Sequence, residues 1–337
     1  MVRLIDVAKR CGVSVATVSK ALSDKKDIGE ETKEQIRRVC DEMGYLPNSS
    51  ARALRLNRTY NLGVLLMMED RSGLTHAYFS PLIEAFRAYA DQCGYDTTFI
   101  SKGRDASMSY LERARYRGVD GVLVVCADYT IPEVSELLES GIPVMTVDDY
   151  YPDPYSSVIS DNAQGMRDLV DFICDRGHSR IAYIYGHNTE VTRNRIDAFY
   201  KTLQKRGIIA PDYYVRSGEF RNPDLSHDVT MELLDLYVRP TCIIYPDDFS
   251  AMGGLNAIKE RGFRIPEDIS IAGYDGAYIS QILEPKLTTI RQDAPKIGRV
   301  AAQKLIGRIE NPKESGTEKI LVRGELLEGS SVGIIEK

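Results

Sequence analysis

Four aspartates and one arginine stand where this chain can most readily do chemistry. Asp148 follows the apolar run that ends at Val147, Asp247 and Asp248 follow Ile244-Tyr245, and Asp275 follows Tyr274. Arg195 lies in the helical stretch after Gly186. Ionised carboxylates accept hydroxyl hydrogens, a guanidinium donates to ring and hydroxyl oxygens, and aromatic faces cover the C–H side of a sugar. The set therefore suits a polyhydroxylated ligand. The plainer role of each aspartate alone is to cap a helix, and Asp248 is placed to cap the one that starts near Ser250. Catalysis has less support. The chain has no GxSxG, no GxxxxGK[ST] and no GxGxxG. Asp247 and Asp248, being adjacent, are poorly placed to act as acid and base on one bond. Six cysteines are scattered without CxxC spacing, and four histidines are isolated without HExxH. The cysteines fit thiols of a reducing compartment, and neither a metal site nor a cofactor is expected.

The elements that must carry these residues alternate. Strands are predicted at Leu62–Met68, Tyr95–Ile100, Gly121–Cys126, Pro143–Val147, Val158–Ser160, Arg180–Tyr185, Tyr213–Arg216, Thr241–Tyr245 and Ile269–Tyr274. Helices are predicted between them at Pro81–Cys93, Pro132–Ser140, Asn162–Arg176, Thr189–Arg206 and Ser250–Arg261. This βαβ rhythm gives parallel sheets with helices on both faces, and ligands in such sheets bind at the carboxyl ends of the strands. The length of 337 residues suggests two or three domains. The longest apolar runs are about seven residues, against about 20 for a membrane span. Arg3, Asp6, Lys9 and Arg10 interrupt the first ten residues, so no signal-peptide stretch is expected and the expected location is cytoplasmic.

The first sixty residues differ. Leu4, Ile5, Val7 and Ala8 form an apolar stripe that stops at Gly12, and Ser14 is an N-cap for a second helix over Val15–Leu22. A tight turn between two short helices is a helix-turn-helix. A third helix runs from about Glu30 to Met43, with Ile36, Val39, Cys40 and Met43 on one face and Gly44 past its end. The second helix turns Val15, Ala16, Ser19 and Lys20 outward, with Val18 and Leu22 inward. Short side chains there let the backbone approach a major groove, where methyls touch thymine and Lys reaches guanine or phosphate. The net charge of −6 hides an asymmetry. Residues 1–56 hold 11 Lys+Arg against 8 Asp+Glu, and the remainder 32 against 41. A basic module on an acidic body is one footprint of a nucleic-acid binder.

The run Ile5-Asp6-Val7-Ala8-x-x-x-Gly12-Val13-Ser14-Val15-Ala16-Thr17-Val18-Ser19-Lys20-Ala21-Leu22 resembles the DNA-binding head of the lactose/galactose repressor family. Gly44-Tyr45-x-Pro47-Asn48-x-x-Ala51-Arg52-x-Leu54 resembles its hinge. Further matches include Ser160-Asp161-Asn162-x-x-Gly165, Gly177-His178-x-x-Ile181, Asp248-x-x-Ala251-x-Gly253 and Ile265-Pro266-x-Asp268-Ile269-Ser270-Ile271-x-Gly273-Tyr274-Asp275, so the resemblance spans essentially the whole chain. It implies an all-α helix-turn-helix head over 1–47, a hinge helix over 48–57 and a two-lobed α/β body over 58–337. The body is of periplasmic-binding-protein type with doubly wound parallel sheets. One lobe takes about 60–159 and 291–320, the other about 160–290 and 321–337.

Carried over by position, Ser14, Val15, Ala16, Thr17, Ser19 and Lys20 serve the major groove. Asn48, Ala51, Arg52, Leu54 and Arg55 serve the hinge, with Leu54 as a minor-groove wedge. The effector cleft takes Phe79, Asp148, Arg195, Phe220, Asp247, Asp275 and Gln292. The resemblance further implies a homodimer on a near-palindromic DNA operator, gated by a small-molecule effector, with a sugar favoured over a nucleobase-type corepressor. The end of the chain, Ser331–Lys337, has no heptad run, so a dimer and not a tetramer is expected. Four departures stand out: Cys11 for the usual Ala, Gly29 for a capping Ser, Asp247 for the frequent Asn, and Ala198 for Gly. A transport-type solute receptor shares the body but has no use for the head, and an enzyme lacks a nucleophile or metal triad. Effector identity, operator sequence, the direction of gating and any phosphocarrier coregulator are not written in the sequence.

Overall fold

The computed structural model describes residues 2–45, 58–68, 73–101, 107–148, 155–313 and 316–335. It separates into two compact units, Met1–Tyr60 and Asn61–Lys337. In the first unit, α1 spans Leu4–Cys11, α2 Val15–Leu22 and α3 Glu30–Met43. Gly12 ends α1 at φ +69, a left-handed turn that glycine adopts without steric cost. Ser14 Oγ then accepts from Thr17 N at 3.0 Å and opens α2. Val7, Ala8, Val18, Ala21, Ile36, Val39 and Cys40 form a small core, against which Cys11, Leu22 and Met43 pack. Ile5, read from the sequence as part of the apolar stripe, is 44% exposed, because eight residues of helix can turn only a narrow face to so small a core.

Gly29 gives α3 no side-chain cap. The first turn of α3 is held instead through Lys33. Its buried ammonium donates to Glu30 at 2.6 Å and reaches Asp24 at 3.0 Å. Arg37 also donates to Asp24. The hydrogen bonds to Glu30 and Asp24 raise the Lys33 pKa, and Lys33 in turn lowers that of Asp24.

In the second unit the elements are β1 Asn61–Leu66, α4 Phe79–Gln92, β2 Asp96–Phe99, α5 Tyr110–Tyr116, β3 Gly121–Val125, α6 Pro132–Glu139, β4 Val144–Val147 and β5 Ser156–Ser160. They continue with α7 Asn162–Asp175, β6 Ile181–Tyr185, α8 Glu190–Lys205, β7 Val215–Ser217, α9 Pro223–Leu234, β8 Cys242–Ile244 and α10 Ser250–Glu260. The last are β9 Ser270–Asp275, α11 Tyr278–Ile282, β10 Thr288–Arg291, α12 Ala294–Glu310, β11 Lys319–Val322 and β12 Glu325–Leu327.

Two six-stranded sheets result, ordered β11-β5-β4-β3-β1-β2 and β12-β10-β9-β8-β6-β7. Strands pair in parallel except β12, which runs antiparallel to β10. The strand orders correspond: in both sheets the second strand lies outside the first, and the next three continue on the other side. Each sheet therefore has a topological switch point, and the crevice lies beyond its carboxyl edge. Strands buried on both faces read as continuous apolar runs, as in the fully buried Gly121–Val125.

The chain crosses between the lobes three times, after β5, after β10 and after β11. Ser160 and Leu321–Val322, assigned from sequence to the second lobe, pair in the first sheet. Arg291, assigned to the first lobe, pairs with Asp275 in the second sheet. The exchange occurs just past each strand end, which the apolar pattern alone could not mark. Helix α12 returns to the first lobe and packs on α4. Gly298 makes this possible, because a Cβ there would lie 1.9 Å from the Leu82 carbonyl oxygen.

Candidate functional site

The exposed face of α2 is short and sparsely charged. Val15 is 40% exposed, Ala16 and Lys20 are exposed, Ser14 flanks them, and Thr17 and Ser19 are half-buried. Val18 turns inward and is fully buried. Thr17 Oγ1 lies 2.9 Å from Ser14 Oγ, so both hydroxyls are tied into the cap. Lys20 Nζ donates to Asp27 Oδ2 at 2.5 Å. That exposed pair contributes little to stability and can open to another anion. The hinge positions Asn48, Ala51, Arg52, Leu54 and Arg55 lie outside the described residues.

In the body, one cluster assembles at the carboxyl ends of the strands of both lobes. Asp148 follows β4 of the first lobe and Asp275 ends β9 of the second. Both hold a left-handed backbone, at φ 58 and φ 103. Non-glycine residues adopt such angles at a cost of about 1–3 kcal/mol, and this strain concentrates at functional sites. Asp148 Oδ1 accepts from Ser160 N at 3.1 Å, and Asp275 Oδ1 accepts from Gln292 Nε2 at 2.7 Å.

Arg195, on α8, is 3% exposed. Its Nε donates to Asn162 Oδ1 at 2.8 Å and its Nη1 to the Pro246 carbonyl at 3.0 Å. The guanidinium carbon sits 3.5 Å above the Tyr274 ring, a close cation–π contact. Burial lowers its pKa while Tyr274, Tyr183, Asp275 and Asp148 raise it, and the net direction is up.

Asp247 and Asp248 take different roles. Asp247 Oδ1 accepts from Ser250 N at 2.8 Å, and its Oδ2 accepts from Arg221 N at 2.8 Å and Ser250 Oγ at 2.9 Å. It therefore caps α10 and clamps the Phe220–Arg221 turn onto it. This corrects the assignment of the cap to Asp248. Asp248 turns to the opposite side, where it accepts from Thr289 Oγ1 and Ala277 N, both at 2.6 Å. It thereby secures the turn that follows Asp275. Burial raises the pKa of both carboxyls, against the hydrogen bonds they accept.

Phe220 lies across Gly186, where a Cβ would stand 2.4 Å from the ring, so only glycine admits the ring there. Phe79 opens α4 and packs on His76 and Tyr78, with ring centroids at 4.6 and 5.0 Å. The structure thus gathers Asp148, Arg195, Asp247, Asp275 and Gln292 into one network, with Phe220 and Phe79 on its flanks. It adds residues that the sequence did not single out. Tyr78 is buried beside Asp148, Asn162 and the Pro246 carbonyl hold Arg195, and Tyr274 underlies it. Asn162 and Tyr274 sit inside the quoted Ser160-Asp161-Asn162 and Gly273-Tyr274-Asp275 runs, which was the available signal. Among the described residues no three His, Cys, Asp or Glu side chains converge to hold a metal ion.

Burial, and then the repulsion of Asp247, push the Asp275 carboxyl up to about 7. Burial also raises Asp148. A carboxyl whose pKa is raised on folding binds more protons folded than unfolded. Stability then falls as pH climbs from the unfolded value near 3.8 through about 7. Asp275→Asn is therefore expected to flatten this slope and to raise the melting midpoint of the ligand-free protein at pH 8, by about 2–4 °C for each kcal/mol regained. Thermal melts of both proteins across pH 5–8 check this, and a variant that melts lower at pH 8 contradicts it.

A helix-turn-helix head carried in one chain with a two-lobed α/β body defines a class, the bacterial DNA-binding regulators built on a periplasmic-binding-type body. Residues 3–48 match the family of bacterial regulatory proteins, lacI family, and residues 170–332 match the periplasmic binding protein-like domain. The HTH-type transcriptional repressor PurR of Salmonella arizonae is 32% identical over 338 residues, covering 98% of this chain and 97% of that protein. The structure of the Lac repressor dimer bound to operator and the anti-inducer ONPF aligns at TM-score 0.82 and 26% identity, over 98% of this chain and 99% of that one. A LacI family transcriptional regulator from Enterococcus faecium with bound ribose aligns at TM-score 0.70 and 26% identity, over 82% of this chain and 100% of that one. The chain belongs to the lacI family of bacterial regulatory proteins: it is a DNA-binding transcriptional repressor, and its relatives are repressors rather than enzymes. Among the described residues no helix is long and apolar enough to cross a membrane.

Proposed function

We propose that the protein is an effector-gated repressor that binds a near-palindromic operator as a homodimer in the cytoplasm, its effector a small polyhydroxylated molecule of the sugar class held between the lobes. The observation that carries this reading is the convergence of Asp148 from one lobe and Asp275 from the other on the single guanidinium of Arg195. A ligand bridging them joins the lobes, and a ligand that favours one lobe arrangement shifts the population toward it. Ser14, Val15, Ala16, Thr17, Ser19 and Lys20 read the major groove. Asn48, Ala51, Arg52, Leu54 and Arg55 act at the hinge on the minor groove. The ribose bound to the E. faecium relative supports a sugar. The surplus of carboxylates disfavours a phosphorylated or carboxylated effector. A thermal-shift screen of mono- and disaccharides and free nucleobases tests the reading, since a ligand that binds only the folded state raises the midpoint. A shift with nucleobases alone overturns the sugar class.

For the dimer, the supporting feature is an apolar patch beside α11. Tyr278, Ile279 and Ile282 are exposed on it, and Phe249 is exposed next to the Asp248 contact with Ala277. Such a patch marks an interaction surface. The Lac repressor relative is a dimer. Gel filtration with light scattering is expected to give the mass of two chains, and Ile282→Asp to give one. A four-chain mass contradicts the proposal.

A further inference from the structure

We propose that the effector carries a positive charge, as a protonated amine on a polyhydroxylated frame, with amino sugars as the matching class. This rests on the effector reading above and adds to it the charge of the ligand.

The first observation concerns free acceptors. Asp148 Oδ1 accepts from Ser160 N and its carboxylate also faces the Tyr78 hydroxyl, while Asp275 engages Gln292 Nε2 through Oδ1 and keeps its other oxygen for a ligand. Their strained backbones present both carboxylates at the same strand-end edge, one from each lobe.

The second concerns the counter-charge. Arg195 gives its directed hydrogen bonds to two neutral oxygens, those of Asn162 and Pro246, and its face to Tyr274. It reaches Asp148 and Asp275 only through space. Behind them lie Asp247 and Asp248, whose oxygens accept from main-chain N–H groups and hydroxyls. Arg221, whose main-chain N–H donates to Asp247, places its guanidinium over the Phe249 ring, 4.9 Å away. The described cluster thus sets four carboxylates against one guanidinium. Buried carboxylates either take up protons or acquire a partner cation, and a neutral polyol leaves the imbalance as it is.

The third is a buried hydroxyl. Tyr78 is 6% exposed, and its hydroxyl lies beside the Asp148 carboxylate, outside ordinary hydrogen-bond geometry. A ligand that offers an ammonium to the carboxylates and a hydroxyl to Tyr78 satisfies both. A bare metal ion is a poor match, because no three ligating side chains converge among the described residues.

The test uses the full-length protein and three matched pairs: glucose and glucosamine, galactose and galactosamine, mannose and mannosamine. Calorimetry and thermal shift at pH 7 are expected to give, for at least one pair, half-saturation by the amine at a concentration about tenfold or more below that of its neutral parent, because charge-assisted hydrogen bonds are the stronger ones. Asp275→Asn is expected to reduce that preference to within about threefold while the neutral parent loses less. Asp148→Asn repeats the measurement should the first variant fold poorly. Neutral sugars binding as tightly as their amines overturn the proposal and leave the effector reading standing. No binding by any of the six overturns it and also counts against a monosaccharide site.

Discussion

Replacing Arg195 by alanine is expected to abolish effector binding, by at least about a hundredfold, and to lower the melting midpoint of the body. Among the described residues the side chain is the cation that both Asp148 and Asp275 act on, and it is almost completely buried. Its loss leaves the Asn162 carbonyl, the Pro246 carbonyl and the face of Tyr274 without their partner. Removing one member of a buried charge pair costs about 3–5 kcal/mol, because the other charge remains uncompensated. The two aspartates can recover part of this by taking up protons, so the lower end is the better expectation at acidic pH. Arg195→Lys keeps the charge but cannot donate to Asn162 and Pro246 at once, and is expected to fall between. The sign is opposite to that for Asp275→Asn at pH 8, although both residues belong to one cluster. Thermal melts and a ligand titration on the two variants check the pair. Wild-type effector affinity in the alanine variant contradicts the assignment of Arg195 to the site.

Ala16→Glu is expected to separate folding from DNA recognition. Ala16 is the second residue of α2, whose N-terminus is capped by the Ser14 hydroxyl. An acidic side chain in the first turn of a helix interacts favourably with the helix dipole, so the head should stay folded. In the proposed interface the same side chain meets the negatively charged groove. A wrong contact at one base pair costs about 1–3 kcal/mol, and the proposed two-fold dimer makes it twice, so operator affinity should fall by roughly 10²–10⁴-fold. Lys20→Ala should act more mildly, because Lys20 already has Asp27 as an alternative partner. Gel shifts at fixed salt, with circular dichroism as the folding control, measure both. Retained operator binding by a folded Ala16→Glu protein would remove α2 from the interface.

Much of this architecture could be read from the residues, for physical reasons that differ by region. The nine strands expected from apolar runs are present with their ends moved: Leu62–Met68 stops at Leu66, Tyr213–Arg216 shifts to Val215–Ser217, and Val158–Ser160 begins earlier, at Ser156. Strands β10, β11 and β12 were not anticipated. They are three or four residues long, and in Thr288–Arg291 and Lys319–Val322 the polar residues are paired by neighbours distant in sequence. Helix α12 was likewise unassigned, although Ile297, Ala301 and Leu305 supply its buried face. The two adjacent aspartates show a limit of another kind. Nothing in Asp247-Asp248 says which faces α10, since that depends on the direction in which the chain leaves β8. Tyr78 was invisible because an aromatic before a helix is ordinary, and only the fold brings it to Asp148. What the sequence did offer was position: carboxylates directly after strands, which the sheet topology then gathers at one edge.

The proposed effector cluster, drawn from both lobes, is expected to govern DNA binding by the head. Its most direct test is the operator affinity of the intact protein, measured by fluorescence anisotropy at fixed salt, with and without a saturating ligand found in the thermal screen. Allosteric coupling of about 1–3 kcal/mol changes that affinity by roughly 5- to 150-fold. A change within this range that Arg195→Ala eliminates is the expected result. An operator affinity that the bound ligand leaves unchanged contradicts it.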